Sequence, residues 1–311
     1  MKRIAVILIM LGCIATPLAA QQGTFNFLRT DVSARAAALN GSFVSMKDDP
    51  NVLFYNPASL GTLSMPKISA SYVNHLMDVN AGTLCYGQYM EGIGNIGAGV
   101  TYINYGSFNR TDEFFNTLGT FGATELAIVA GIAAHYDDDL FVGINAKYIY
   151  SSIAEYSSSG LAIDLGFLYD IPSQNLTIGG SILNIGKQSY PYINTKEPLP
   201  LDVKLGITKR PEHLPVFLNL DFHRLNESGD NFLDRFSSFT IGAEFLMSKS
   251  LRVRVGYNNK QRKELKTGTT AGLGGFSLGF GLVFNEYQID YAYNSYGDFG
   301  GIQRFSLGIN L

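Results

Sequence analysis

The sequence predicts an all-β protein: an outer-membrane barrel of about fourteen antiparallel strands with a plug-like segment ahead of the first strand. Three observations carry that reading. Charged residues make up only 16% of the 311, well below the roughly 25% of ordinary soluble domains. After the first twenty residues, no apolar run reaches the roughly 18 needed for a helix to cross a bilayer. From Lys67 to Leu311 the chain instead runs in segments that alternate apolar and polar side chains between turn signals, as strands with one face in lipid and one in a lumen do.

The remaining composition agrees. Lys+Arg 23 against Asp+Glu 26 leaves a net charge of -3, so nothing points to a nucleic-acid partner. Gly 34, Tyr 18 and Phe 21 with no Trp, at a mean hydropathy of only +0.08, fit strands that are apolar on alternate residues. A secreted β-sandwich or propeller also alternates, but its water-facing side would carry more Lys and Glu and no surplus of aromatics.

In chain order, Met1-Lys2-Arg3, the apolar run Ile4 to Leu11 and the small-residue end Leu18-Ala19-Ala20 read as a cleavable secretory signal peptide over residues 1–20. The apolar core is too short for a membrane anchor. Leu11-Gly12-Cys13 is a weak lipoprotein signal, and Cys85 is then the sole cysteine of the mature chain, with no disulfide partner. Residues 21–66 differ in texture and form a plug or periplasmic segment. They hold a short helical stretch at Ser33 to Leu39 and a break at Pro57. Residues 67–311 form the barrel.

Within it, alternation is clean in Leu251-Arg252-Val253-Arg254-Val255-Gly256-Tyr257-Asn258, in Leu201 to Thr208, in Tyr287 to Asn294 and in Arg304 to Leu311. Strands are expected over 67–77, 79–91, 94–106, 124–136, 138–151, 158–170, 174–187, 199–210, 214–225, 236–247, 250–259, 271–283, 285–294 and 302–311. The connections alternate in length. Asp137-Asp138-Asp139, Ile171 to Gln174 and Ser248-Lys249 are short periplasmic turns, while 107–123, 188–198, 226–235 and 260–270 are long outward loops. The connection near Asp78 is the short exception. Reflecting strands about their hairpin centres sets Lys147 opposite Asp164, Lys204 opposite Asp221, Glu244 opposite Arg252 and Asp290 opposite Arg304, four charge pairs inside the lumen. A self-neutralising interior argues against a strongly ion-selective pore.

No chemistry is marked. His75, His135, His213 and His223 sit on separate segments without metal-ligand spacing. His213 falls in a periplasmic turn and His223 at a lumen position near Asp221. The Asp137 run lacks a calcium-loop pattern, and Gly94, Gly97 and Gly99 lie in a strand with no helix after them. The expected protein has no catalytic residue, metal or cofactor. Two outward loops are candidate partner surfaces: the aromatic one bearing Phe108, Phe114, Phe115, Leu118 and Phe121, and the basic one bearing Lys260, Arg262, Lys263 and Lys266. The second suits an acidic partner or the phosphates of lipopolysaccharide.

Phe25-Asn26-Phe27-Leu28, Ser33-Ala34-Arg35-Ala36-Ala37-Ala38-Leu39, Asp48-Asp49 and Asn56-Pro57-Ala58 resemble the N-terminal signature of the PorV/PorQ family. Tyr72 to Thr83, Gly99 to Phe108, Gly119-Thr120-Phe121, Glu197-Pro198-Leu199-Pro200 and Gly308-Ile309-Asn310-Leu311 extend the likeness, most closely to the family's PorQ branch, over nearly the whole mature chain. Asn40-Gly41 replaces the usual Gly-Gly-like pair, which Asn tolerates at positive φ. The resemblance implies a barrel related to fatty-acid transporters and a place in the type IX secretion system of Bacteroidetes-type bacteria. It implies a non-enzymatic mooring in the outer membrane for a PorZ-like surface protein and, through it, a PorU/PorV-like attachment complex that joins cargo to lipopolysaccharide. The competing expectation is a passive channel for hydrophobic small molecules, with residues 21–66 as a movable plug. A barrel enzyme has no support.

Overall fold

The computed structural model describes residues 23–75, 79–227, 232–266 and 272–311. The expected signal peptide and the turn at Asp78 lie outside them. Fourteen strands close into one antiparallel barrel, each paired with its neighbours in sequence and β1 with β14. They are β1 Lys67–Asn74, β2 Asn80–Met90, β3 Gly94–Thr111, β4 Thr117–Asp137, β5 Leu140–Ile153, β6 Tyr156–Ile171, β7 Leu176–Tyr190, β8 Asp202–Lys209, β9 Val216–Phe222, β10 Phe239–Leu246, β11 Leu251–Asn258, β12 Phe276–Phe284, β13 Tyr287–Ser295 and β14 Gly301–Asn310.

Alternation decides which side chains meet lipid. In β11, Val255 is 40% exposed while its neighbour Arg254 is 1% exposed. The outer face presents Tyr72, Leu84, Ile128, Leu161, Ile207, Ile241, Leu278 and Phe305, whereas the inner face buries Ser, Thr, Asn and most of the charged residues. Nothing but hydrocarbon favours an apolar outer face around a polar inside. The chain is an outer-membrane β-barrel.

Two connections depart from expectation. The segment 107–123 is not an open loop. β3 and β4 continue through it, with Phe108 paired to Phe121, and only residues 112–116 turn. Its aromatic content is strand content, and the Asp112 carboxylate makes the turn by accepting N–H groups from Phe114 at 2.9 Å and Asn116 at 2.8 Å. The β5–β6 connection is likewise just Ala154 and Glu155.

Residues 23–66 fill the interior. Helix α1 (Ala34–Ala38) is N-capped by Ser33, whose Oγ accepts from Ala36 N. Its Ala34, Ala36, Ala37 and Ala38 are all 0% exposed. Asn40 takes a positive φ of 52° and Gly41 one of 75°, so the chain leaves the helix through an Asn-Gly pair as anticipated. Beyond it Phe43, Met46, Val52, Leu53, Tyr55, Leu60 and Leu63 form a buried cluster with Cys85, Val129 and Ala133 of the wall. The wall meets this segment at glycine. A Cβ on Gly143 would lie 2.5 Å from Pro57 C and Ala58 N, and one on Gly279 would lie 2.4 Å from Ala38 Cβ. The high glycine count therefore serves close approach of plug to wall.

Candidate functional site

The site is the filled lumen together with two of its larger cavities. Toward the short-turn rim, α1 projects Arg35 into a buried ionic net. Its Nε and Nη2 donate to Glu244 of β10 at 3.0 and 2.9 Å, and its Nη1 donates to Asp49 at 3.0 Å. Glu244 also accepts from Arg254 Nε at 2.5 Å, and Arg254 Nη1 donates to Asp290 of β13 at 2.6 Å. Burial opposes the charge on Arg35, but Glu244 and Asp49 outweigh it and raise the guanidinium above its ordinary value. Three strands and the plug are thus tied through two arginines and three carboxylates.

The motif residues have separate duties. Ala34 and Ala36 are small enough to pack flat, and Ala34 N donates to Ser306 Oγ of β14 at 2.8 Å. Asn56 is fully buried. Its Nδ2 donates to Val44 O at 2.9 Å and to Phe167 O of β6 at 2.8 Å, and its Oδ1 accepts from Ala58 N at 3.1 Å. Pro57 opens the 3₁₀ turn that follows, Pro57–Thr62, where its missing N–H is no loss.

All eight residues expected as lumen charges lie on the inner face, yet three of the four pairs are different. Lys147 does bond Asp164 at 2.8 Å, diagonally, since the residue directly across from Lys147 is Ala162. Lys204 pairs instead with Asp202 at 3.5 Å, while Asp221 faces Gly206 and accepts Val44 N at 2.8 Å from the plug. Glu244 faces Arg254, not Arg252, whose Nη1 donates to Ser248 O at 2.6 Å. Asp290 faces Ser306, and Arg304 faces Ala292 and donates to Asn294 Oδ1 at 2.7 Å. The cause is shared. Each hairpin centre sits one residue from where the sequence places it, which moves every partner by two and keeps every face. Asp49, Asp202 and Arg254 are ionic partners that the predicted pairings lack; Arg254's shared parity with Arg252 is the available signal.

Two cavities flank the plug and share no lining residue. That at the short-turn rim measures about 560 Å³ and is bordered by Arg35, Lys47, Lys67, Arg210, Arg252 and Arg254, among others. That at the long-loop rim measures about 260 Å³ and is bordered by Arg29, Asp31, Lys204, Arg224, Lys260 and Arg304, among others. Between them Leu39, Phe43, Val44, Val52, Leu53, Ala58 and Leu60 are 0% exposed.

His223, just past β9, borders the second cavity, its Nε2 2.7 Å from Thr240 Oγ1. Burial and then the nearby Lys204, with Asp202 opposing, push its imidazole down to about 3. The folded protein therefore refuses a proton that the unfolded chain, near 6.5, accepts. Stability is held above that upper value and drains as pH falls from it toward about 3. Unfolding temperature of the detergent-solubilised barrel, read by gel mobility after heating, should fall across this window. The fall should be shallower in His223→Gln; an unchanged slope would discard the assignment. Of the other histidines, His135 packs on the Phe141 ring at 4.3 Å and His213 lies in the 210–215 turn. Among the described residues no three His, Cys, Asp or Glu side chains converge on a metal position.

The candidate partner loops differ from each other. β3 pairs with β2 only to Asn104 and β4 with β5 only from Ala123, so the hairpin projects past its neighbouring strands, tied to the β5–β6 turn by Arg110 on Glu155 at 2.6 Å and by Ala154 N on Gly122 O at 3.0 Å. Phe108 stacks on Phe121 with centroids 5.5 Å apart, and at the tip Phe114 is 74% and Phe115 87% exposed. The basic loop is partly helical, α2 (Asn259–Glu264). Lys260 turns inward to Glu227 at 2.9 Å, and Arg262 lies over the Phe276 ring and donates to Gly272 O at 3.1 Å. Lys263 and Lys266 are exposed, so half of the expected basic surface is spent on folding the loop.

Fold and site together define a plugged fourteen-stranded outer-membrane barrel. Solved structures share that fold. The toluene transporter TbuX of Ralstonia pickettii aligns at 13% identity and TM-score 0.59, over 92% of this chain and 98% of its own. The monoaromatic hydrocarbon channel CymD aligns at 11% identity and TM-score 0.60, over 93% and 99%. A FadL homologue of Pseudomonas aeruginosa aligns at 10% identity and TM-score 0.52, over 89% and 97%. No family model and no curated protein matches the chain.

Proposed function

We propose that this barrel is a docking anchor of the PorQ kind, holding a PorZ-like surface protein and through it a PorU/PorV-like attachment complex. The observation that carries the reading is the projecting β3–β4 hairpin with Phe114 and Phe115 bare at its tip. Exposed aromatics at the end of such a projection are what a protein interface uses as anchors. The charged cavities on both sides of a packed plug also suit a mooring better than a greasy conduit. The sequence likeness to the PorV/PorQ family, the signal peptide and Lys263 and Lys266 facing lipopolysaccharide belong to the same reading. Affinity purification of the tagged full-length chain from outer membranes should recover a large surface protein. Phe114→Ser/Phe115→Ser should weaken its capture by about 30-fold or more, the scale of losing one interface anchor of about 2 kcal/mol. Recovery of no large partner by the unaltered chain would overturn the docking role.

A second reading, a channel for hydrophobic small molecules, is favoured by the solved structures sharing the fold, among them a toluene transporter and a monoaromatic hydrocarbon channel. On fold likeness alone it stands ahead of docking. It expects that deleting the gene lowers cellular uptake of a labelled monoaromatic hydrocarbon or fatty acid, whereas docking expects unchanged uptake.

A further inference from the structure

Three buried side-chain nitrogens lack a hydrogen-bond acceptor among the described residues, Arg29 Nε, Gln261 Nε2 and Arg304 Nε, and all three residues border the cavity at the long-loop rim. They come from the plug, α2 and β14, so three separate elements bring donors to one place. Arg304 is 5% exposed, and among the described residues its guanidinium makes a single hydrogen bond, to Asn294. Nearby, one carboxylate serves three cations: Glu227 takes Lys260 at 2.9 Å, Arg29 at 3.1 Å and Arg224 at 3.9 Å. The lining carries Arg29, Lys204, Arg224, Lys260 and Arg304 against Asp31, Asp202 and Glu264. Buried donors without acceptors are costly, most of all on cations, and where their residues line a cavity a ligand made of acceptors can relieve them.

We propose that this cavity binds a phosphate-type oxoanion. Arg29, whose Nη1 and Nη2 are taken by Glu227 and Leu201 O, keeps its Nε to give, and Arg304, bonded through Nη1 to Asn294, keeps its Nε. Donors arriving from different elements match a tetrahedral group with several acceptor oxygens. A volume of about 260 Å³ leaves room for whatever bears the phosphate. Two sources fit, free inorganic phosphate and the phosphorylated headgroup of lipopolysaccharide. The site does not depend on whether the barrel docks a protein or passes a solute.

Isothermal titration of the full-length chain in detergent with inorganic phosphate, at constant ionic strength held by chloride, tests it. Saturable binding is expected, weakened about tenfold or more in Arg304→Gln and in Arg29→Gln, the scale of one charge-assisted contact. Arg252→Gln, at the opposite cavity, should bind like the unaltered chain. Gel mobility establishes that each variant is folded; if Arg304→Gln is not, Arg29→Gln at the rim decides. Absence of saturable binding, or variants that bind as tightly as the parent, would overturn the proposal. Displacement of phosphate by lipopolysaccharide micelles would assign the headgroup as the source, and failure to displace would assign the free ion.

Discussion

Glu244→Ala is expected to lower the unfolding free energy of the barrel by about 3–5 kcal/mol, the cost of leaving buried cations uncompensated. Among the described residues, Glu244 is the single carboxylate that accepts from both Arg35 and Arg254. Without it, Asp49 and Asp290 each retain one arginine, and two guanidinium groups face each other across the gap. The loss should appear as a lower urea midpoint in vesicles with an unchanged slope. Arg252→Ala, whose hydrogen bonds run to backbone oxygens at the rim, should shift the midpoint far less, within about 1 kcal/mol. Equal effects of the two substitutions would mean that the ionic net does not hold plug to wall.

Asn56→Ala should cost about 2–4 kcal/mol, since it strips buried carbonyls of Val44 and Phe167 of their donor and Ala58 N of its acceptor. Unlike the loss of Glu244, this change falls where plug meets β6, so it should act first on the plug. Amide hydrogen exchange across residues 43–58 is expected to speed up before the strands do. Protection unaltered there would show that Asn56 is dispensable to plug seating. Asn56→Asp should be worse than alanine, because it sets a carboxylate against two carbonyl oxygens.

Much of this was legible in the sequence. A side-chain period of two names the face of a residue without knowing its partner, which is why Lys147, Lys204, Glu244 and Arg304 were placed inside while three pairings failed. Partners depend on where a hairpin turns, and turns such as Ala154-Glu155 or Asp112 to Asn116 are set by local hydrogen bonds, not by hydrophobic period. The Ala-Arg-Ala and Asn-Pro-Ala signatures marked the plug, but not that Arg35 reaches Glu244, 209 residues along the chain. Nor does sequence say that lumen glycines such as Gly143 and Gly279 exist to admit Pro57 and Ala38. That requirement comes from a surface many residues away. The cavity at the long-loop rim was invisible for the same reason, since Arg29, Gln261 and Arg304 meet only once the ring is shut.

The seam between β1 and β14 runs from Lys67 opposite Asn310 to Asn74 opposite Gln303, and Leu311 N donates to Pro66 O at 2.8 Å where the plug hands over to the wall. The last strand of the barrel therefore closes the ring against the first, around the N-terminal segment. Once the two edges zip together, every remaining exit for that segment lies through a mouth of the barrel or through re-opening this one join.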